Sequence, residues 1–223
     1  DDDARARMAA AAALRNLVQD KALSHAIISA GAVPVLLDLA QAGQTPHTRS
    51  LSAEALKLLA GSPSGANLEG LDGDPRTRGL AKLATDTNVG VRPAHDAAMA
   101  ITNMILEGVI GKGKGGAKDG LFLGLEALGP QWVHAVVGLA KSPDEEDWYP
   151  AARCLRLLAA DGKKLRRAIV GADGVIHLCR LALCGTESSR DHAVVALQLL
   201  AKEGPWVCKM IARCGGIRGF VSR

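Results

Sequence analysis

The sequence predicts an all-α fold of stacked three-helix repeats, and three observations predict it. First, an octet recurs down the chain: AAAALRNL at Ala10 to Leu17, SAEALKLL at Ser52 to Leu59, AMAITNMI from Ala98, AARCLRLL at Ala151 to Leu158, and AVVALQLL at Ala193 to Leu200. Its central residues Leu14, Leu56, Ile101, Leu155 and Leu197 stand 42, 45, 54 and 42 residues apart, close to the step of helical repeat arrays. Second, another row, Leu39, Leu83, Leu139 and Leu181, keeps nearly the same step, spaced 44, 56 and 42. Third, aromatic residues are only 3% of the 223 residues. Thin layers of crossing helices can be filled by Leu, Val and Ala, whereas a broad core draws on rings for volume.

The elements follow in order. Residues 1–20 supply the third helix of a truncated first repeat. In the repeat at 21–63, Leu23, Ile27 and Ile28 mark one face of a short helix. Ala30-Gly31-Ala32 turns the chain, because glycine ends helices where a positive φ is needed. Pro34 suits the first turn of a second helix, whose buried face is Leu36, Leu37 and Leu39. Gly43 to His47 forms a loop, and a long third helix runs from about Pro46 to Ala60, with Leu51, Ala55, Leu56 and Leu59 inward.

A divergent repeat covers 64–108. There Leu71-Asp72-Gly73-Asp74-Pro75 stands in place of the glycine turn, and Thr77 replaces a buried valine. Residues 109–120 are a Gly/Lys-rich insertion with the composition of a flexible coil, which accounts for the longer third interval. The repeat at 121–162 offers Leu123, Leu128, Gly129, Val133, Val136 and Leu139. The repeat at 163–204 matches the first full one position for position, with Leu165, Ile169 and Val170, then Val175, Leu178 and Leu181. Residues 205–223 begin a further, truncated repeat with Val207, Ile211, Gly215 and Ile217. Neither end shows the atypical polar cap that finishes a solenoid, so the sequence is expected to be a segment of a longer protein.

Composition narrows the function. A net charge of +4 is too mild for a dedicated nucleic-acid binder. No apolar run approaches the roughly 18 residues of a membrane-spanning helix, and Met8 to Leu14 is too short for a signal peptide. Five cysteines, Cys154, Cys179, Cys184, Cys208 and Cys214, form an odd set without a CxxC pair. That favours a reducing compartment, cytoplasmic, with cytoskeletal, ciliary and nuclear sites all compatible.

Chemical motifs are weak. Gly108 to Lys114 has the G-x4-G-K spacing of a phosphate loop, but Gly115 occupies the Ser/Thr position and the segment follows a helix instead of a strand. His95, His134, His177 and His192 make no zinc framework with the cysteines. Cys154, Cys179 and Cys184 are expected as small packing side chains. His95-Asp96 and Asp191-His192 are sequence neighbours, which do not face one another on a helix. The sequence therefore predicts no enzyme activity, no cofactor, no metal and no small-molecule substrate.

The string Ala30-Gly31-Ala32-Val33-Pro34, followed by an apolar helix and an AAxALxNL-like third helix, resembles the armadillo repeat. The resemblance covers nearly the whole chain and is strongest in the first and fourth full units. It implies a right-handed α-solenoid of about four to five armadillo-like three-helix repeats, whose third helices line a concave groove for a partner protein or extended peptide. In importins and catenins the octet asparagine lies on that groove and clamps a peptide backbone. The matching positions here are Asn16, Leu58, Asn103, Leu157 and Leu199, and one turn earlier come Ala12, Glu54, Met99, Arg153 and Val195. Trp132, Trp148 and Trp206 fall at helix starts, outside the octets, which argues against nuclear-localisation peptides. The groove reads as apolar with scattered charges, suited to a helix or a flat protein surface.

The candidate groove residues are thus Arg15, Asn16, Glu54, Lys57, Met99, Asn103, Arg153 and Arg156, with the four cations as charged anchors. Lys163, Lys164, Arg166 and Arg167 form a second candidate, for electrostatic docking. Asp144-Glu145-Glu146-Asp147 should start a third helix, where carboxylates suit the dipole. No aromatic stands beside the basic cluster to stack a base. The expected function is a non-enzymatic protein–protein interaction scaffold. The alternatives are a structural subunit of a large assembly such as a ciliary axoneme, and the substrate-recruiting region of a larger enzyme of ubiquitin-ligase type.

Overall fold

The computed structural model describes residues 2–20, 22–43, 45–60, 75–86, 91–106 and 131–217. Among these residues every regular element is a helix. In chain order they are α1 (Asp2–Val18), α2 (Ser24–Ser29), α3 (Ala32–Ala42), α4 (Pro46–Ala60), α5 (Pro75–Thr85), α6 (Val91–Leu106), α7 (Gln131–Lys141), α8 (Trp148–Asp161), α9 (Lys163–Gly171), α10 (Gly174–Cys184), α11 (Glu187–Ala201) and α12 (Pro205–Arg213). A short 3-10 turn at Glu145–Asp147 leads into α8. The third helix expected at Pro46 to Ala60 is α4, and the other octets lie on α1, α6, α8 and α11. The Gly/Lys insertion at 109–120, the phosphate-loop spacing, Leu71 to Asp74, Leu123, Leu128 and Gly129 lie outside the described residues.

Two local devices set the repeat. The first is the turn between first and second helices. Gly31, Asp173 and Gly215 occupy equivalent positions, and all three have left-handed backbone, with φ of 77°, 61° and 75°. Glycine takes this conformation without a Cβ penalty, and aspartate is among the few residues that tolerate it. A Cβ at Gly31 would meet nothing within 4 Å, so only backbone strain opposes a side chain there. Gly31→Ala is expected to lower unfolding free energy by about 1 kcal/mol, and Gly31→Asp by less. Urea unfolding of the two variants checks the order.

The second device is a cap eleven residues before the octet centres Leu56, Leu155 and Leu197. The Thr45 hydroxyl accepts from the Thr48 N–H at 3.1 Å, and the Thr186 hydroxyl accepts from the Ser189 N–H at 3.4 Å. Asp144 accepts from the Glu146 N–H at 3.2 Å. Each side-chain oxygen satisfies an amide that the first helical turn leaves unpaired. The acidic run thus precedes a third helix as expected.

The chain divides into two compact units, Asp1–Ala135 and Val136–Arg223, with the boundary inside α7. In the first unit, α1 packs on α4 and α4 on α6, while α3 packs on α5 and both second helices press against the third helices. Leu36, Leu37, Leu56, Leu59, Leu80, Ile101 and Met104 are fully buried between these layers. In the second unit α8 packs on α11, α10 on α11, and α12 against both α10 and α11. Leu155, Leu158, Ile169, Leu178, Leu197 and Leu200 form its core. The octets are alanine-rich because neighbouring third helices approach closely. Ala53, Ala55, Ala151, Ala152, Ala193 and Ala196 have no exposed surface, and a larger side chain at any of them would force the helices apart.

Several expectations need correction. Leu23 is 40% exposed, because it precedes α2 as its N-cap residue and does not lie on the helix face. Leu39, Leu51 and Ile28 are only partly buried, unlike Leu83, Leu139 and Leu181. Leu14 also keeps partial exposure, since α4 is its third-helix neighbour among the described residues. Cys184, at the end of α10, is exposed, whereas Cys154 and Cys179 are buried. Among the described residues no helix is long and apolar enough to cross a membrane.

Candidate functional site

The third helices present one row of half-exposed residues per helix, and the sequence-predicted groove residues fall on these rows. In the first unit Arg15 on α1, Glu54 and Lys57 on α4, and Met99 and Asn103 on α6 are all half-buried. Asn16 is exposed and accepts from its neighbour Arg15 at 3.2 Å.

Most of these side chains hold one another. Arg15 Nη2 donates to Glu54 Oε1 at 2.8 Å. Lys57 Nζ donates to Asp96 Oδ1 at 2.6 Å. Asn103 Nδ2 donates to the Lys57 carbonyl at 3.3 Å. A cation one residue after the octet centre is thus tied to an acid 39 residues on, once from α1 to α4 and again from α4 to α6. Arg15 and Lys57, expected as anchors for a partner, are anchors between successive third helices. The Arg15 guanidinium is held above its ordinary value by its hydrogen bond to Glu54. For Asp96, burial alone would raise the carboxyl. The nearby His95 imidazole and the hydrogen bond from Lys57 outweigh burial and hold it below the usual carboxylate range.

His95 and Asp96 correct the rule applied to them. Though adjacent, His95 Nδ1 lies 3.6 Å from Asp96 Oδ1. A flexible imidazole can swing along the helix surface toward a short neighbour, which Cβ directions alone do not reveal.

The second unit differs. Arg153 and Arg156 lie half-buried on α8. Neither has an ion pair or hydrogen bond to a described residue, and the Arg156 Nε is enclosed without a partner. Tyr149, one turn before Arg153, has its ring centroid 5.4 Å from that of His192 on α11. The imidazole of His192 is held below its ordinary value by burial and then by Arg156 and Arg153.

Within the basic cluster on α9 two arginines share one acid, and Arg166 is the half-buried member. Arg166 Nε donates to Glu203 Oε1 at 2.7 Å and its Nη1 to the Ala159 carbonyl at 3.1 Å. Arg167 Nε donates to Glu203 Oε2 at 3.3 Å. The Glu203 side chain, only 2% exposed, is held below the usual carboxylate range chiefly by its hydrogen bond from Arg166. The pair ties α9 to the turn that follows α11. Lys163 and Lys164 remain exposed on α9.

No constellation for covalent chemistry emerges among the described residues. Burial pushes the Cys154 thiol far up, and burial followed by the nearby Cys214 pushes Cys179 up to about 12, so neither is a ready nucleophile. Among the described residues no group of three His, Cys, Asp or Glu side chains is placed to hold a metal ion. Trp148 serves structure: its Nε1 donates to the Ser142 carbonyl at 2.9 Å, and Arg180 lies 5.2 Å from its ring centroid. Arg180 also donates to the Ala140 carbonyl at 2.6 Å, which closes the C-terminal end of α7.

No family model matches the chain, and no curated protein matches it. Solved structures do. A computationally designed armadillo repeat protein for modular peptide recognition matches with a TM-score of 0.69 at 17% identity, over 96% of this chain and 84% of its own. The fold is armadillo-like. An engineered protein matches with a TM-score of 0.68 at 24% identity, over 98% of this chain and 83% of its own. A designed armadillo repeat protein in complex with the peptide (KR)4 matches with a TM-score of 0.66 at 17% identity, over 96% of this chain and 83% of its own.

Proposed function

We propose that this armadillo-like chain is a non-enzymatic scaffold that docks a segment of a partner protein on its third helices. The observation that carries the reading is the half-exposed, mixed row on the third helices of the second unit, Leu157 and Arg153 on α8 and Val195 and Leu199 on α11, with Met99 half-exposed on α6 of the first unit taken by itself. These side chains offer apolar area beside polar groups, on helices packed through buried leucines. A rigid face loses little conformational freedom on docking. The peptide complex of one designed structural neighbour supports the same role for the fold. The five free cysteines support a reducing compartment, and we place the protein in the cytoplasm.

A second reading has its own support. Val35 on α3 and Ile176 and Leu183 on α10 are exposed apolar residues on second helices, and Trp206 is exposed on α12. A structural subunit whose outer surface is covered in an assembly would use them. Site-specific photo-crosslinkers separate the two readings. With the probe at Met99 or Leu199, crosslinking to a partner in extracts of the source cells is expected to exceed that from Val35 or Ile176 severalfold. Crosslinks concentrated at Val35 and Ile176 would instead favour the assembly subunit.

A further inference from the structure

Thirty-nine residues after Arg15 stands Glu54, and 39 after Lys57 stands Asp96. The same step from Arg156, which holds the equivalent place after Leu155, arrives at Val195. The inter-helix ion pair of the first unit therefore has a cation but no acid in the second. Tyr149, Arg153 and Arg156 lie at i, i+4 and i+7 on α8, and His192, Val195 and Leu199 at i, i+3 and i+7 on α11. These spacings form one stripe per helix, and α8 and α11 pack side by side.

We propose that this face of the second unit binds an acidic segment of the partner, with carboxylates on Arg153 and Arg156 and apolar side chains over Val195 and Leu199. The proposal rests on the third helices being the docking face and names what docks there. Charge complementarity selects the occupant. Two half-buried guanidiniums without a carboxylate of their own repel a basic peptide and attract an acidic one. A planar guanidinium can take a carboxylate through two parallel hydrogen bonds. The Arg156 Nε is enclosed and unpartnered, and the half-buried guanidinium makes no other bond to a described residue. Arg15, Arg49 and Arg180 also carry an enclosed Nε, but each of those guanidiniums has another bond within the protein. Asp191 is the nearby acid on α11, and it acts on His192 against the two arginines. Docked carboxylates would replace the missing acid, while Val195 and Leu199 would lose water under the peptide's apolar residues.

Fluorescein-labelled (Glu-Leu)4, (Gln-Leu)4 and (Lys-Leu)4 peptides, titrated against the whole chain by anisotropy, test this. (Glu-Leu)4 is expected to bind about tenfold tighter than (Gln-Leu)4 at low salt, with the gap narrowing as salt rises. Arg153→Gln with Arg156→Gln should abolish the preference, while Arg153→Lys with Arg156→Lys should retain most of it, both with unchanged circular dichroism. Lys209→Gln, an exposed charge on α12, should change nothing. Equal binding of (Glu-Leu)4 and (Gln-Leu)4, lost on Leu199→Asp, would overturn the acidic preference and leave the docking face standing. Binding of all three peptides that ignores Leu199→Asp and both double variants would overturn both.

Discussion

Leu155→Ala is expected to lower the unfolding free energy by about 3 to 4 kcal/mol. Leu155 sits at an octet centre on α8, has no exposed surface, and lies where α8 meets α9 and α11. Truncation removes three carbons' worth of burial and leaves a hole whose fate decides the cost. Along α8 the residues at three and four positions from it include Ala151, Ala152 and Ala159, and α11 brings Ala193 and Ala196 to the same layer, all fully buried. An alanine has no rotamer through which to reach into a void, and helices already in close contact cannot move nearer. The site therefore collapses poorly, which places the cost in the upper half of the range for such changes. Leu155→Met keeps most of the volume and should cost less than about 1.5 kcal/mol. Leu14→Ala, the same octet position on a helix where it is partly exposed, should cost about 1 kcal/mol. Urea unfolding of the three variants orders them, and a Leu14→Ala cost equal to that of Leu155→Ala would contradict the layer that places Leu155 at its centre.

The repeat was readable from sequence because its determinants are local and periodic. The octet centres from Leu56 onward are fully buried, and the glycine turn is a left-handed residue at Gly31 and Gly215. Boundaries were clear where a proline or a cap marked them, as at Pro46 and Trp148. Burial at the first positions of helices was less clear: Leu23 looked apolar and periodic, yet as an N-cap it falls outside the helix face. Residues taken one helix at a time do not reveal that Arg15 and Lys57 have acids waiting on the next third helix. Register within an octet shows which side chains share a face. It does not show whether the next third helix supplies a counter-ion. A second count, from each octet cation to an acid 39 residues on, finds both pairs of the first unit and the vacancy at Val195. The pairing of Arg166 and Arg167 has a similar signal in Glu203, beside the Gly204 that opens α12. The His95 contact had none, because it depends on a side-chain torsion.

Lys57→Ala should cost about 2 to 3 kcal/mol at neutral pH, more than Asp96→Ala. The asymmetry follows from exposure. The Lys57 side chain is 24% exposed and that of Asp96 is 2% exposed. Without Asp96, the lysine's ammonium can turn toward water. Without Lys57, the carboxylate stays enclosed, its Oδ2 already lacks a partner, and His95 at 3.6 Å is the contact that remains on Oδ1. Removing one member of an enclosed pair leaves a charge that neither water nor protein neutralises. The partial exposure of Lys57 keeps the figure below that of a fully buried pair. The pH dependence separates this cause from simple loss of packing. In the wild-type chain the Asp96 carboxyl is held below its ordinary value. Its contribution is therefore present above the unfolded carboxyl value of about 3.9, and is lost as pH falls through the lower folded value. In Lys57→Ala burial dominates and the folded value rises, so the variant releases the strain of a buried charge by taking up a proton as pH drops. The stability gap between the two proteins should therefore narrow from pH 7 toward the acid limb, read by urea unfolding at successive pH values. A packing defect alone would keep the gap constant across that range. In the double variant Lys57→Met with Asp96→Leu, apolar chains replace both charges, and much of the loss should be recovered because no enclosed carboxylate remains.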